Sequence, residues 1–405
     1  MRRIVLFLLA GLIAFSAAAC SQSALYRSAY ATPGAPPPAP QASQPMQAPP
    51  LPFAPAAKSV ILFIGDGMGP GILTIATEYS LKVRGIDLNM VTLANSGRAG
   101  FVTTYSSNKL VTDSAAGATA ISTGTKTDNG MIGVAPDKTQ LENLFEMAMA
   151  RGKSVGVITT TSVTDATPAA FLAHAGSRNE EAGIAGQIAA GGATVVMGGG
   201  RKYFKGEDGK DLIEEARGKG FDVVFDKEAL RAHQGGRVLG LFADGDLPYE
   251  GEKVAYETPS LTEMFDAALR MLTADPDGFV LVVEGGLIDH AEHENLLGAA
   301  LDELLWMDST LGHAMDYQRS DSTLTIVVTA DHNTGGPAFT STERGYPPAD
   351  DMEALIREGT YLRWLSGNHT STMVPLFAHG PGEVLFSGIR DNTYINHAIV
   401  AILGL

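Results

Sequence analysis

From Lys58 onward the chain alternates short, continuous apolar runs with longer segments in which apolar positions recur every three or four residues. The short runs are Val60–Ile64, Val155–Thr159, Thr194–Met197, Asp222–Phe225, Phe279–Val283, Leu324–Thr329 and Val374–Ala378, each four to six residues long. Rich in Val, Ile, Leu and Phe, they have the length and composition of strands buried on both faces. The longer segments, Ala115–Ser122, Gln140–Ala150, Ser260–Leu272, Ala291–Met315 and Tyr394–Ile402, predict helices. In Gln140–Ala150, for example, Leu141, Leu144, Phe145 and Ala148 share one face. Strands alternating with helices predict an α/β fold: a three-layer α/β/α sandwich with a central, largely parallel sheet and helices on both faces. Residues 201–257, richer in Gly, Lys and Asp, show fewer clear elements and predict a peripheral excursion.

Before Lys58 the pattern changes. Arg2 and Arg3 precede the apolar run Ile4–Phe15, which is too short to span a bilayer comfortably, and Ala17, Ala18 and Ala19 follow. Residues 1–19 are therefore expected to be a signal peptide. Cys20 comes next and is the single cysteine of the chain, which excludes intramolecular disulfides. Its position resembles a bacterial lipoprotein box, although Ala17 stands where Leu is usual. Lipidation of Cys20 is the expectation, with simple cleavage and secretion as the alternative. Residues 20–57 hold ten of the 21 prolines and read as an extended linker, leaving 58–405 as the folded body.

Composition narrows the partners. The apolar fraction of 45% and charged fraction of 18% belong to a globular protein. A formal charge of −16 repels nucleic acid and anionic lipid, so no nucleic-acid binding is expected. Membrane contact is expected only through a lipid on Cys20. An acidic protein that binds an anion needs local cations, either metals or a few arginines.

Candidate chemistry collects at the ends of predicted strands, where α/β folds place their sites. "VILFIGDGMG" puts Asp66 after the first strand, "TLTIVVTADHNTGG" puts Asp331 and His332 after another, and "FVLVVEGGLIDHAEH" puts Glu284 at the end of a third. Asp289 and His293 are i and i+4, which points both one way at a helix start. Each feature has a plainer reading: a turn cap for Asp66, a structural turn for Asp331-His332, a solvated helix face for Asp289 and His293. Their coincidence at three strand ends favours metal. Two carboxylates with two imidazoles suit Zn²⁺, and an oxygen-only pocket suits Mg²⁺. "VTDSAAGATAISTGTKTDNG" places Ser114 after Asp113 at a helix N-terminus, where anions bind. An N-cap role is the alternative, and no G-x-S-x-G elbow surrounds it. "TDATPAAFLAHAGSR" offers Asp165, Thr167 and Arg178, whose guanidinium matches two phosphate oxygens.

Together with "VMGGGRKYF", "TPSLTEM" and "HTSTMVPLFAHGPG", these blocks resemble the alkaline phosphatase family, in family order from about Val60 to Pro381. The resemblance implies a phosphomonoesterase that works through a phosphoserine on Ser114. It implies one zinc held by Asp289, His293 and His369, and a second held by Asp66, Asp331 and His332. Magnesium would take Asp66, Thr167 and Glu284, with Asp165 reaching it through water. Arg178, steadied by Asp113, would clamp the phosphate of small phosphate monoesters. His290 occupies a position that is Lys in enteric members and His in animal ones, near the phosphate. Glu292 and Glu294 are expected to be solvated. The resemblance also implies a homodimer and an exported, periplasmic or envelope-associated protein. Two features depart from particular members: the disulfides of enteric bacterial ones are absent, and the span between Arg178 and Glu284 is short for the extra surface domain of animal ones. The rival readings are a phosphodiesterase or sulfatase of the same superfamily and a non-catalytic metal- or phosphate-binding lipoprotein.

Overall fold

The computed structural model describes residues 57–205, 210–253, 257–343, 345–348 and 350–405. The expected signal peptide, Cys20 and nearly all of the linker lie outside them. Ala57, the last residue assigned to the linker, is buried, and its N–H donates to Ile402 O at 2.9 Å.

Ten strands form one sheet. They are β1 (Ser59–Gly65), β2 (Arg98–Thr103), β3 (Ser154–Ser162), β4 (Val195–Gly199), β5 (Phe221–Val224), β6 (Arg237–Leu241), β7 (Phe279–Gly285), β8 (Leu324–Thr329), β9 (Val374–His379) and β10 (Gly388–Asp391). Their spatial order is β10-β2-β9-β8-β1-β7-β3-β4-β6-β5. Only β9 runs against its neighbours, β2 and β8. The middle strands are the continuous apolar runs read in the sequence: every residue of β1, β7 and β8 is buried. Helices pack on the sheet to complete an α/β/α sandwich, with Leu261–Leu272 against β3 and Leu297–Gln318 against β1, β7 and β8. Burying each large aliphatic side chain in these layers stabilises by roughly 1.5–3 kcal/mol.

The differences from expectation have local causes. β10 is an edge strand with β2 beside it, and Phe101 and Ile389 stay exposed there, so neither strand reads as a buried run. β5 and β6 come from the 201–257 segment, which therefore extends the sheet rather than merely decorating it. The helix expected over Gln140–Ala150 starts at Leu144, because Asn143 accepts from the N–H groups of Phe145 and Glu146 while Glu146 returns a bond to the Asn143 N–H. The single helix expected over Ala291–Met315 is two, Leu287–His293 and Leu297–Gln318, separated where Asn295 adopts φ +55°. Asparagine tolerates that left-handed conformation better than most residues. Among the described residues no helix is long and apolar enough to cross a membrane.

Candidate active site

Strands β8, β1, β7 and β3 are adjacent and parallel, so their carboxyl ends open at one edge. Ile64, Glu284, Thr159 and Thr329 lie on one rung there. Just beyond it come Asp66 from β1, Asp331 and His332 from β8, Asp165 and Thr167 from β3, and the helix Leu287–His293 from β7. A two-residue antiparallel ladder, Asn333–Thr334 with His369–Thr370, brings His369 to the same place. Gly67 turns the chain at φ +70°; a Cβ there would lie 2.9 Å from Asp289 Oδ1, so glycine is required for the approach.

Two Asp/His groups result: Asp289 with His293 and His369, and Asp66 with Asp331 and His332, the ligand atoms of each lying within 4.8 Å of one another. In the first, His293 Nε2 is 3.2 Å from Asp289 Oδ2 and 3.0 Å from His369 Nε2. The far side of each ring is engaged, His293 Nδ1 with Gly367 O and His369 Nδ1 with Thr112 O, both at 2.9 Å. A carbonyl can only accept, so each Nδ1 carries a proton and each Nε2 faces the group, the nitrogen that would bind a metal in place of a proton. In the second, His332 Nε2 is 3.1 Å from Asp331 Oδ2 and 3.4 Å from Asp66 Oδ1. The His332 and His369 rings stack with centroids 3.6 Å apart, which places the two groups side by side.

Four side-chain oxygens here are buried and lack a hydrogen-bond partner among the described residues: Asp66 Oδ1, Asp331 Oδ2, Thr167 Oγ1 and Glu284 Oε1. Leaving such groups unpaired costs free energy unless a ligand meets them. Burial, then the nearby Asp331 carboxylate, raises the Asp66 pKa well above its usual range. Burial, then Asp165, pushes Glu284 up to about 8, and burial, then Asp289, pushes Asp331 up to about 7. Without a cation this pocket therefore favours protons on its carboxylates. Burial raises Asp289 too, but the His293 hydrogen bond and the neighbouring imidazoles outweigh it and hold that carboxyl low. The Asp289 hydrogen bond raises His293 to about 9, whereas burial, then His369, keeps His332 well below its usual value. The donor set fits metal: nitrogen and oxygen in the two Asp/His groups, oxygen alone at Asp66, Thr167 and Glu284.

Ser114 opens the helix Ser114–Thr123, with Asp113 as its N-cap accepting from the Ala116 N–H. Its Oγ is 3.1 Å from His332 Nε2. Arg178 Nη2 donates to Asp165 Oδ1 at 2.9 Å, and Nη1 lies 3.6 Å from Asp113 Oδ2. Burial opposes the guanidinium charge, but Asp165 and Asp113 more than offset it and raise the Arg178 pKa. An ever-cationic fork thus stands beside a serine, next to two metal-type groups.

A family model described as "Alkaline phosphatase" matches residues 57–350. The chain belongs to the alkaline phosphatase family. It is 38% identical over 312 residues to the repressible alkaline phosphatase of Saccharomyces cerevisiae, covering 69% of this chain and 55% of that relative, about half its length. Alkaline phosphatase 3 of Bacillus subtilis is 31% identical over 406 residues, covering 84% of this chain and 87% of the relative. The solved alkaline phosphatase from the Antarctic bacterium TAB5 superposes with a TM-score of 0.76 at 30% identity, covering 87% of this chain and 99% of that one. A variant of the TAB5 enzyme was solved with Mg bound in its M3 site. Membership makes this chain a phosphomonoester hydrolase of a metal-dependent family.

In this chain the residues singled out from the sequence gather at one sheet edge, with two adjustments. Asp165 is engaged by Arg178 in this structure. His290 is half-exposed, with its Nδ1 3.8 Å from Asp246 Oδ2. One expectation is overturned: Glu292 is buried, not solvated, and burial followed by the Asp289 charge raises its pKa well above the usual range. It lies on the inner side of its short helix, whereas Glu294 is exposed. His174, which has no place in either Asp/His group, meets Gly133 O and Glu146.

Several supporting residues were missed in the sequence. Thr159 and Thr161 both donate to Glu284 Oε2, and Thr334 donates to Asp289 Oδ1. A usable signal existed for the first two, since "ITTTS" ends an otherwise apolar strand in four consecutive hydroxyl residues, of which Thr159 and Thr161 share one face. Asp246 and the carbonyls of Thr112 and Gly367 left none.

Proposed function

We propose that this enzyme hydrolyses phosphate monoesters by transferring the phosphoryl group to Ser114 and then to water. The observation that carries the reading is the position of Ser114 Oγ, 3.1 Å from His332 Nε2 and at a helix N-terminus, beside the two Asp/His groups. Zinc at those two groups and magnesium at Asp66, Thr167 and Glu284 supply, when bound, Lewis acidity and compensating positive charge. Arg178 binds two phosphate oxygens through its planar fork, and Asp165 and Asp113 fix that fork from behind. Ser114 Oγ forms the new bond to phosphorus as the bond to the alcohol oxygen breaks, and the alcohol leaves with a proton. Water then attacks the phosphoserine and returns the hydroxyl to Ser114, releasing inorganic phosphate. His290 stands at the rim of the phosphate end. A monoester fits better than a diester because its terminal phosphate has free oxygens for both metal groups and the guanidinium. Export, with a lipid on Cys20, completes the reading and rests on the N-terminal sequence alone.

The test compares p-nitrophenyl phosphate with bis-p-nitrophenyl phosphate, with and without chelator, in wild type and Ser114→Ala. The expected outcome is chelator-sensitive monoesterase activity that falls by orders of magnitude in Ser114→Ala, with no labelled phosphoenzyme. Near wild-type turnover in that variant would overturn the assignment.

A further inference from the structure

The turn after β6 is pinned to the ends of two other strands. The Gly200 N–H donates to Gly245 O at 2.8 Å, and the Leu247 N–H donates to Thr160 O at 3.0 Å. A Cβ on Gly199 would lie 1.9 Å from Gly245 O, so the contact depends on glycine there. From this fixed turn Asp246 reaches two parts of the site. Its Oδ1 accepts the Ser162 N–H at 2.8 Å, and its Oδ2 faces His290 Nδ1 at 3.8 Å.

Ser162 is itself a junction. Its carbonyl accepts the Asp165 N–H at 3.0 Å, and Asp165 Oδ1 accepts from Arg178 at 2.9 Å. One short path therefore runs from Arg178 through Asp165, Ser162 and Asp246 to His290. Thr160 adds a parallel tie, since its Oγ1 accepts the Leu287 N–H at 3.1 Å at the start of the helix that carries Asp289, His290 and His293. Asp246 belongs to neither Asp/His group.

We propose that Asp246 is a positioning residue: it holds His290 at the phosphate end of the site and couples that ring to the strand end carrying Asp165. The proposal rests on the phosphatase reading and assigns Asp246 a part in phosphate binding, not in bond making.

Two variants separate its contacts. Asp246→Asn keeps an oxygen for the Ser162 N–H and removes the charge that faces His290, whereas Asp246→Ala removes both. With zinc- and magnesium-loaded enzyme, inhibition by inorganic phosphate, KM and kcat for p-nitrophenyl phosphate, and melting temperature are measured in wild type, each Asp246 variant, His290→Ala and the double variants. Asp246→Asn is expected to weaken phosphate inhibition about threefold, the scale of one half-exposed polar contact. KM should rise in the same sense while kcat and melting temperature hold. In the His290→Ala background the same change should have no further effect. Asp246→Ala should add a drop in melting temperature, and if it fails to fold the asparagine variant carries the test. An unchanged phosphate inhibition in Asp246→Asn, or an equal effect with and without His290, overturns the proposal. Wild type without monoesterase activity overturns the phosphatase reading and this one with it; an active wild type with additive effects overturns this one alone.

Discussion

Glu303, on the helix Leu297–Gln318, is buried and far from a simple surface acid. Its Oε1 accepts the Glu250 N–H at 2.6 Å, while Glu250 Oε1 accepts from Lys253 Nζ at 2.6 Å and from the Leu261 N–H at 2.9 Å. Burial raises the Glu303 pKa from 4.5 to about 7, more than the Glu250 hydrogen bond and the Lys253 charge lower it. The folded state therefore holds a proton there that the unfolded chain has lost, and stability falls as pH rises between those values. Below pH 4.5 no penalty exists, and above about 7 it is complete. At about 1.4 kcal/mol per pH unit, the full penalty is about 3 kcal/mol. Glu303→Gln keeps the acceptor and the volume but never ionises. Urea denaturation of wild type and variant at pH 5 and at pH 8.5 isolates the effect, because contributions shared by the two proteins cancel in the difference. The variant should gain about 2–3 kcal/mol relative to wild type on going from the lower pH to the higher. A difference that stays constant within about 0.5 kcal/mol would refute the reasoning, since Glu303 would then ionise at no cost.

Two further perturbations probe the site and its support. Gly67→Ala puts a methyl 2.9 Å from Asp289 Oδ1 and 3.0 Å from Thr334 Oγ1 at φ +70°, with a backbone cost of about 1–2 kcal/mol. Zinc content by metal analysis and kcat/KM should both drop, the latter by at least about tenfold for a displaced ligand; retention of both would count against Asp289 as a ligand. Asn143→Ala removes the cap of Leu144–Ala150 and should cost about 1 kcal/mol in urea denaturation with kcat/KM unchanged, whereas no loss would mean that packing alone sets that helix start.

The interior of this fold was legible because strands covered on both faces must be apolar throughout. β1, β7 and β8 could be read almost to their ends, while β2, half covered and carrying an exposed Phe101, could not. The break at Asn295 was hidden because apolar spacing continues across it; only a backbone dihedral distinguishes it. The capping box at Asn143 and Glu146 was there to be read, and it marks the true helix start better than the apolar stripe does. In the site, residues adjacent to strand ends could be placed from strand order alone. Glu292 could not, since a charged residue between Ala291 and His293 gives no sign of which side of a seven-residue helix it occupies. Asp246 was invisible for another reason: its partners Ser162 and His290 meet it only because β3, β4 and β6 are neighbours in space.

The scattering of the ligand atoms over strand ends and a small ladder sets an order of events in folding. Asp66, Asp289, Asp331 and His369 come from segments far apart in the chain, and β1 must be flanked by both β7 and β8 before their ends converge. Contacts of such long sequence separation form late, because loop closure precedes any return from them. A partly folded chain thus offers stray imidazoles and carboxylates but no assembled cage. On the proposed metal assignment, capture of the ions therefore requires the centre of the sheet to be complete first.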